Sequence, residues 1–359
     1  MSADRREPDV MNSQSEGRHP QVPAYHAPGA FVSGNEGVHS IPQFEFESGE
    51  TLRDLRVGYV THGELNPARD NAILIPPGTG NTRHSADGYI GPGKAFDTRR
   101  YFIVAVDGIG AGTSSRPHDG LRGRFPRYSV RDMVRAEHAL LTNGLGITRL
   151  AAVAGASMGA FQALEWAIHF PDVAARVILL VPAARAGNIM RSVVHSMIEV
   201  IQLDPQWRDG NYHAQPLGGL EASGRIYFPW TVADAYLEQL APEDLERDVQ
   251  TTVKRAAAWD AWDLIRRYQA SAGHDVASPF GGDLVLALGR VRAPTLVMPT
   301  TTDRLLGLES ARAIARHVTG AEYIEVPSDR GHLGWRAVEG APESALITGR
   351  IAAFLSGKP

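Results

Sequence analysis

From residue 42 onward, apolar positions follow two rhythms. Phe44-Glu45-Phe46 and Leu55-Arg56-Val57-Gly58-Tyr59-Val60 alternate as half-exposed strands do. Asn71-Ala72-Ile73-Leu74-Ile75, Tyr101-Phe102-Ile103-Val104-Ala105-Val106 and Leu150-Ala151-Ala152-Val153-Ala154 are nearly continuous apolar runs bounded by Gly and Pro, the pattern of central strands covered on both faces. Residues 176–181, 294–299 and 323–326 read as three further strands. Between these runs the period changes to that of a helix. Ser129 is a candidate N-cap for a helix over 129–143, with Val130, Met133, Val134, His138 and Leu141 on helical spacing and Gly144 ending it. Helices are also expected over 158–170, stopped by Pro171, and over 310–317 and 343–355. Strands alternating with helices predict an α/β fold, a mostly parallel central sheet flanked by helices.

The alternation breaks over residues 183–290, which carry helical patterns and Trp207, Trp230, Trp259 and Trp262. This stretch reads as a helical lid inserted into a core made of residues 39–182 and 291–359. Residues 1–38, rich in Pro, Gly, Ser, Asn and charge, read as a flexible N-terminal arm.

Composition narrows the chemistry. The 359 residues are 43% hydrophobic with a formal net charge of −4, which gives no footing for a nucleic-acid partner. There is no cysteine, so disulfides, thiolate metal sites and a Cys nucleophile are excluded. The N-terminal stretch has no apolar signal core, and no run nears the roughly 18 apolar residues of a membrane helix. A soluble cytoplasmic protein with no membrane partner is expected.

Gly155-Ala156-Ser157-Met158-Gly159 is a G-x-S-x-G sequence between an apolar strand and a helix. By itself the pentapeptide is a weak signal. In that strand–turn–helix setting it reads as a nucleophile elbow, a turn too tight for side chains at 155 and 159, with the serine hydroxyl held at a helix N-terminus. Serine needs a base. In this arrangement the chain order is Ser, acid, His, so the base should lie late. His332, in Gly331-His332-Leu333-Gly334 after the strand at 323–326, fits; His26, His39 and His118 lie in the tail or in loops, and His138 and His169 lie inside helices. The acid should follow the strand at 294–299, where Asp303 stands; Asp329, three residues before the histidine, is the rival.

An oxyanion hole needs two backbone N–H donors. Met158, after the nucleophile, should supply one and the loop Pro76-Pro77-Gly78-Thr79-Gly80-Asn81 the other. Proline has no N–H, so the donor is Gly78 or Thr79, with Gly78 taken first. Residues 88–95 have P-loop spacing, but Ala95 stands where the Mg²⁺-ligating hydroxyl belongs, and no metal motif is found; no cofactor or metal is expected. The tryptophans of 207–262 read as lid packing, with an apolar acyl pocket as the alternative.

These residues resemble the homoserine O-acetyltransferase-like branch of the α/β-hydrolase superfamily. The resemblance rests on Ile90-Gly91-Pro92-Gly93-Lys94-Ala95-Phe96-Asp97-Thr98, on Phe125-Pro126 and Val130-Arg131-Asp132-Met133-Val134, on the elbow helix Ser157-Met158-Gly159-Ala160-Phe161-Gln162-Ala163-Leu164-Glu165-Trp166-Ala167, and on Asp204-Pro205-Gln206-Trp207 with Gly210-Asn211-Tyr212. It spans roughly 45 to 355. It implies a helical lid, an acyl-serine ping-pong mechanism, no metal or prosthetic group, and a homodimer.

The departures bear on the substrate. In the transferases the histidine is followed by an Asp that contacts the homoserine amine; here Leu333 follows. Their Arg before the Asp-Pro segment, which binds the substrate carboxylate, is met by Ile198 or Glu199. Their His-Ala-Leu-Thr-Gly loop is Pro76-Pro77-Gly78-Thr79-Gly80. An apolar Leu cannot pair with an ammonium group, so the amino-acid acceptor site is lost while the acyl chemistry is kept. The expectation is a hydrolase of short, acetyl-type carboxylic esters, with Thr79 and Leu333 in its substrate pocket. An acyl-CoA-dependent O-acyltransferase with another acceptor is the alternative.

Overall fold

A computed structural model describes residues 32–357. Eight strands form one sheet: β1 Asn35–Glu45, β2 Thr51–His62, β3 Ala72–Ile75, β4 Phe102–Val106, β5 Ala152–Ala156, β6 Val177–Leu180, β7 Thr295–Met298 and β8 Glu322–Tyr323. Their spatial order is β1-β2-β4-β3-β5-β6-β7-β8. β1, β2 and β4 pair antiparallel; β4, β3 and every later strand pair parallel. The short apolar runs are the buried parallel strands, because helices cover both of their faces. Leu74, Val153, Leu179 and Val297 face α1 (Val130–Ala139) and α2 (Met158–His169) in one core. Their neighbours Ile73, Ala154, Ile178 and Leu296 face α10 (Pro342–Ser356) on the other side.

The helix expected over 129–143 divides. Ser129 caps α1, its hydroxyl accepting from Asp132 N while Asp132 accepts from Ser129 N in return. Leu140–Gly144 then widen into one π-helical turn ahead of Gly146, which takes a positive φ. The strand expected over 323–326 shrinks to a two-residue ladder, although Ile324 and Val326 still donate to Val297 and Pro299. Of the arm expected at 1–38, most lies outside the described residues. Its last four residues are instead the start of β1, an edge strand whose backbone pairing with β2 needs little apolar patterning and tolerates Pro42.

Between β6 and β7 run α3 (Asn188–Leu203), α4 (Leu217–Thr231), α5 (Asp234–Leu237), α6 (Pro242–Ala257), α7 (Ala261–Ala272) and α8 (Leu284–Leu288); α9 is Glu309–His317. Met190, Val193, Met197 and Ile201 of α3 join Leu264 and Ile265 of α7 in the same core as α2, so this insertion is continuous with the body. No helix among the described residues is long and apolar enough to cross a membrane.

Candidate active site

β5 runs straight into α2, and the turn between them holds Ser157 at φ 57°, ψ −125°. That conformation is strained for any residue with a Cβ, and its persistence means the surroundings impose it. The two glycines are required by space. A Cβ on Gly155 would stand 2.1 Å from the Gly159 carbonyl oxygen, and one on Gly159 would stand 2.4 Å from the Pro76 oxygen. Ser157 is half-buried at the C-terminal ends of the parallel strands, where α/β sheets place ligands.

Three side chains from separate loops meet there. His332 Nε2 lies 2.9 Å from Ser157 Oγ, and His332 Nδ1 lies 2.8 Å from Asp303 Oδ2. Asp303 Oδ1 accepts from Leu305 N at 2.9 Å and Leu306 N at 3.0 Å, so both carboxylate oxygens are engaged. His332 and Asp303 are buried; Asp329, the rival acid, is exposed to solvent. His332 sits in a 3₁₀ turn, Gly331–Trp335, rather than an open loop. Two threonines tie this turn to the acid's loop. Thr300 Oγ1 donates to the Gly331 carbonyl at 2.7 Å, and Gly331 N donates to Thr302 Oγ1 at 3.2 Å.

The insertion braces the same loops. A Cβ on Gly331 would meet the backbone of Val232 at 2.7 Å, so the turn after α4 lies directly against the histidine's turn. Arg304, next to Asp303, pairs with Asp234 and lies 5.3 Å from the centroid of the Trp230 ring.

The loop at 76–81 faces the elbow. Gln162 Nε2, one turn into α2, donates to the Pro77 carbonyl at 2.9 Å. The peptide after Pro77 is trans, so its N–H, that of Gly78, points away from Gln162. Among the described residues, neither Gly78 N nor Met158 N has a hydrogen-bond acceptor. Arg267 of α7 donates from Nε to Thr79 O at 2.6 Å and from one terminal nitrogen to Gly78 O at 2.6 Å. Arg255 of α6 reaches Asn81 Oδ1 at 3.3 Å.

Of the expected pocket residues, Leu333 is buried beside His332. The Thr79 hydroxyl lies 2.9 Å from that of Ser271, so it is already engaged with α7. The insertion's tryptophans are spent on packing: Trp207 and Trp262 stand 4.7 Å apart, and Trp259 backs Arg267. A small apolar cavity of about 20 Å³ lies behind the elbow among Pro76, Tyr89, Ala156, Leu180 and Trp335, with room for one methyl- or water-sized group. Sequence reasoning missed Gln162 and Arg267 as part of the site. The signal for Arg267 was its place on the same helical face as Leu264 and Ser271, both buried.

A family model described as alpha/beta hydrolase fold matches residues 71–334. A homoserine O-acetyltransferase of Thermobifida fusca is 33% identical, over 88% of this chain and 95% of its own. An ethyl acetate hydrolase of Pseudomonas veronii is 32% identical, over 82% and 88%. Among solved structures, the acetyl esterase MekB superposes with a TM-score of 0.86 at 29% identity, covering 90% of this chain and 97% of its own. Homoserine O-acetyltransferase from Bacillus anthracis gives 0.81 at 27%, covering 90% and 98%. The chain belongs to the alpha/beta hydrolase fold family, and it is an enzyme of that family whose relatives carry the names of both esterases and homoserine O-acetyltransferases.

Proposed function

We propose that the enzyme hydrolyses short, acetyl-type carboxylic esters through an acyl-serine intermediate. The observation that carries this reading is the continuous hydrogen-bonded line from Ser157 through His332 to Asp303, with apolar Leu333 buried beside it. Glu199, one of the two positions where the transferases' carboxylate-binding Arg would fall, turns outward and pairs with His195 on the surface of α3.

In the first half-reaction Ser157 Oγ attacks the ester carbonyl carbon while its proton passes to His332 Nε2. The carbonyl oxygen becomes an oxyanion held by Met158 N–H and Gly78 N–H. Asp303 stays ionised and holds the proton on Nδ1, so that Nε2 is free to accept. As the tetrahedral centre collapses, the alkoxy group leaves with the proton from Nε2, and the acyl group stays on Ser157. Water then takes the alcohol's place. His332 removes its proton, hydroxide adds to the acyl carbon, and the acid departs as Ser157 regains its hydrogen. The helices of 183–290 serve as a lid over this site. No cofactor takes part in this scheme, and the enzyme works as a cytoplasmic homodimer.

Transfer of the acyl group from an acyl-CoA to an alcohol other than homoserine is the second reading, favoured by the transferase relatives. The test is turnover of p-nitrophenyl acetate and butyrate by wild type and Ser157→Ala, with and without acetyl-CoA and a panel of alcohols. The hydrolase reading expects multiple turnovers in water, lost in Ser157→Ala and unmoved by alcohols. A single burst that needs an alcohol to continue gives the second reading.

A further inference from the structure

Arg267 is fully buried in the middle of α7 and, among the described residues, forms no ion pair with a carboxylate. Its donors go to backbone carbonyls. Nε bonds Thr79 O at 2.6 Å, one terminal nitrogen bonds Gly78 O at 2.6 Å and Asn81 O at 3.4 Å, and the other bonds Ile109 O at 3.1 Å. Its guanidinium lies 5.6 Å from the centroid of the Trp259 ring. The chain makes room for it: a Cβ on Gly108 would stand 3.0 Å from one of its terminal nitrogens. Asp107, one of the acids whose charge acts on Arg267, is committed to Arg83 at 3.3 Å and to the N–H groups of Arg83 and Thr113.

A buried, unpaired cation is costly, and burial works against its charged form. A purely structural staple for a four-residue loop needs no charge. What a cation adds is direction and field. Three of its four acceptors lie within residues 78–81, in the loop that faces Ser157. With these carbonyls drawn toward Arg267, their trans peptide units turn the N–H groups of Thr79, Gly80 and Thr82 away from it, and Gly78 is fixed between them and the Pro77 carbonyl that Gln162 holds. The positive charge also polarises those units, strengthening their N–H donors.

We infer that Arg267 is a positioning residue that holds and polarises the 78–81 loop as the oxyanion-binding arm of the site, working with Gln162, which bonds the Pro77 carbonyl. This rests on the acyl-serine reading above. Arg267 touches no reacting atom; it acts through the peptide units it binds. It thereby takes over the support of a loop whose sequence departs from that of the transferases, where two prolines leave few N–H groups to fix its shape.

The test compares wild type, Arg267→Met, Arg267→Lys and Ser157→Ala as full-length enzyme. Three quantities are read: kcat and KM for p-nitrophenyl acetate, inhibition by a methyl trifluoromethyl ketone that forms a tetrahedral adduct with serine, and thermal unfolding. In Arg267→Met, kcat should fall on the order of 100-fold with KM within about threefold, and the ketone's inhibition constant should rise by a factor close to that lost in kcat. Arg267→Lys keeps the charge but only part of the donor set, and should recover about a tenth of the lost rate, still well below wild type. Lower thermal stability alone would not move the ketone-to-substrate ratio. A folded Arg267→Met with kcat within about threefold of wild type, or with ketone affinity tracking KM, overturns the assignment. Where Arg267→Met does not fold, Arg267→Lys decides by the same ratio: an unchanged ketone-to-substrate ratio overturns the assignment. Turnover surviving in Ser157→Ala would instead sink the acyl-serine reading, whatever Arg267 does.

Discussion

Asp303→Asn inverts the imidazole tautomer without disturbing packing. Asp303 Oδ1 is held by two backbone donors, Leu305 N at 2.9 Å and Leu306 N at 3.0 Å, while Oδ2 faces His332 Nδ1 at 2.8 Å. An asparagine must keep its carbonyl oxygen on the two N–H groups, since turning its NH₂ there would set donor against donor. The amide NH₂ then faces Nδ1, which has to accept, so the ring proton moves to Nε2. Nε2 is 2.9 Å from Ser157 Oγ and in that tautomer cannot take its proton. The expected loss in kcat is on the order of 10³- to 10⁴-fold, roughly 4–5.5 kcal/mol in the barrier, with KM little changed. Steady-state hydrolysis of p-nitrophenyl acetate near neutral pH measures it, and circular dichroism checks the fold. Asp329→Asn, at an exposed site, is the control and should stay within about twofold of wild type. A loss under about tenfold in Asp303→Asn, or a larger loss in Asp329→Asn, would show that another acid orients His332.

Three further outcomes follow from the same contacts. Gly159→Ala puts a methyl group 2.4 Å from the Pro76 oxygen, backbone against backbone, so the 76–81 loop must shift and esterase activity should fall by at least about tenfold even where soluble protein is recovered. Burial pushes the Glu137 carboxyl up to about 8; among the described residues it is bonded only by Trp166 Nε1, at 2.7 Å. The native state therefore keeps a proton that the unfolded chain releases above its ordinary carboxylate pKa, and stability falls as pH rises from about 4.5 to 8. Glu137→Gln should remove up to about 1.4 kcal/mol per pH unit of that slope in urea titrations, and an unchanged slope would mean the group is ionised in the fold. Leu333→Asp restores the carboxylate that the resemblance places after the histidine; it should lower stability by about 2–4 kcal/mol, because the position is buried, while bringing acyl transfer to amino alcohols above the wild-type level in product analysis.

Much of this arrangement was readable from residues 71–181, because a strand covered on both faces must be apolar throughout and a tight elbow must have glycine on either side of its serine. Chain order and position after a strand pointed to Asp303 and His332, and the fold brings both to Ser157. What escaped was set by contacts that leave little pattern. β1 is an edge strand paired through its backbone, so Asn35-Glu36-Gly37-Val38 looks like loop. Arg266-Arg267 looks like a solvated pair, since a guanidinium buried against carbonyls has the same sequence as one in water. The threonine ties from Thr300 and Thr302 to the histidine's turn depend on the parallel approach of Thr300 and Val326, which no local signal announces.

The most direct measurement is intact-protein mass spectrometry of enzyme quenched during turnover of p-nitrophenyl acetate, followed by peptide mapping. One acetyl group should appear on the peptide bearing Ser157, be absent in Ser157→Ala, and disappear in water alone once the ester is exhausted. An acetyl group on another residue, or one on Ser157 that persists until an alcohol is supplied, would contradict an esterase built on Ser157.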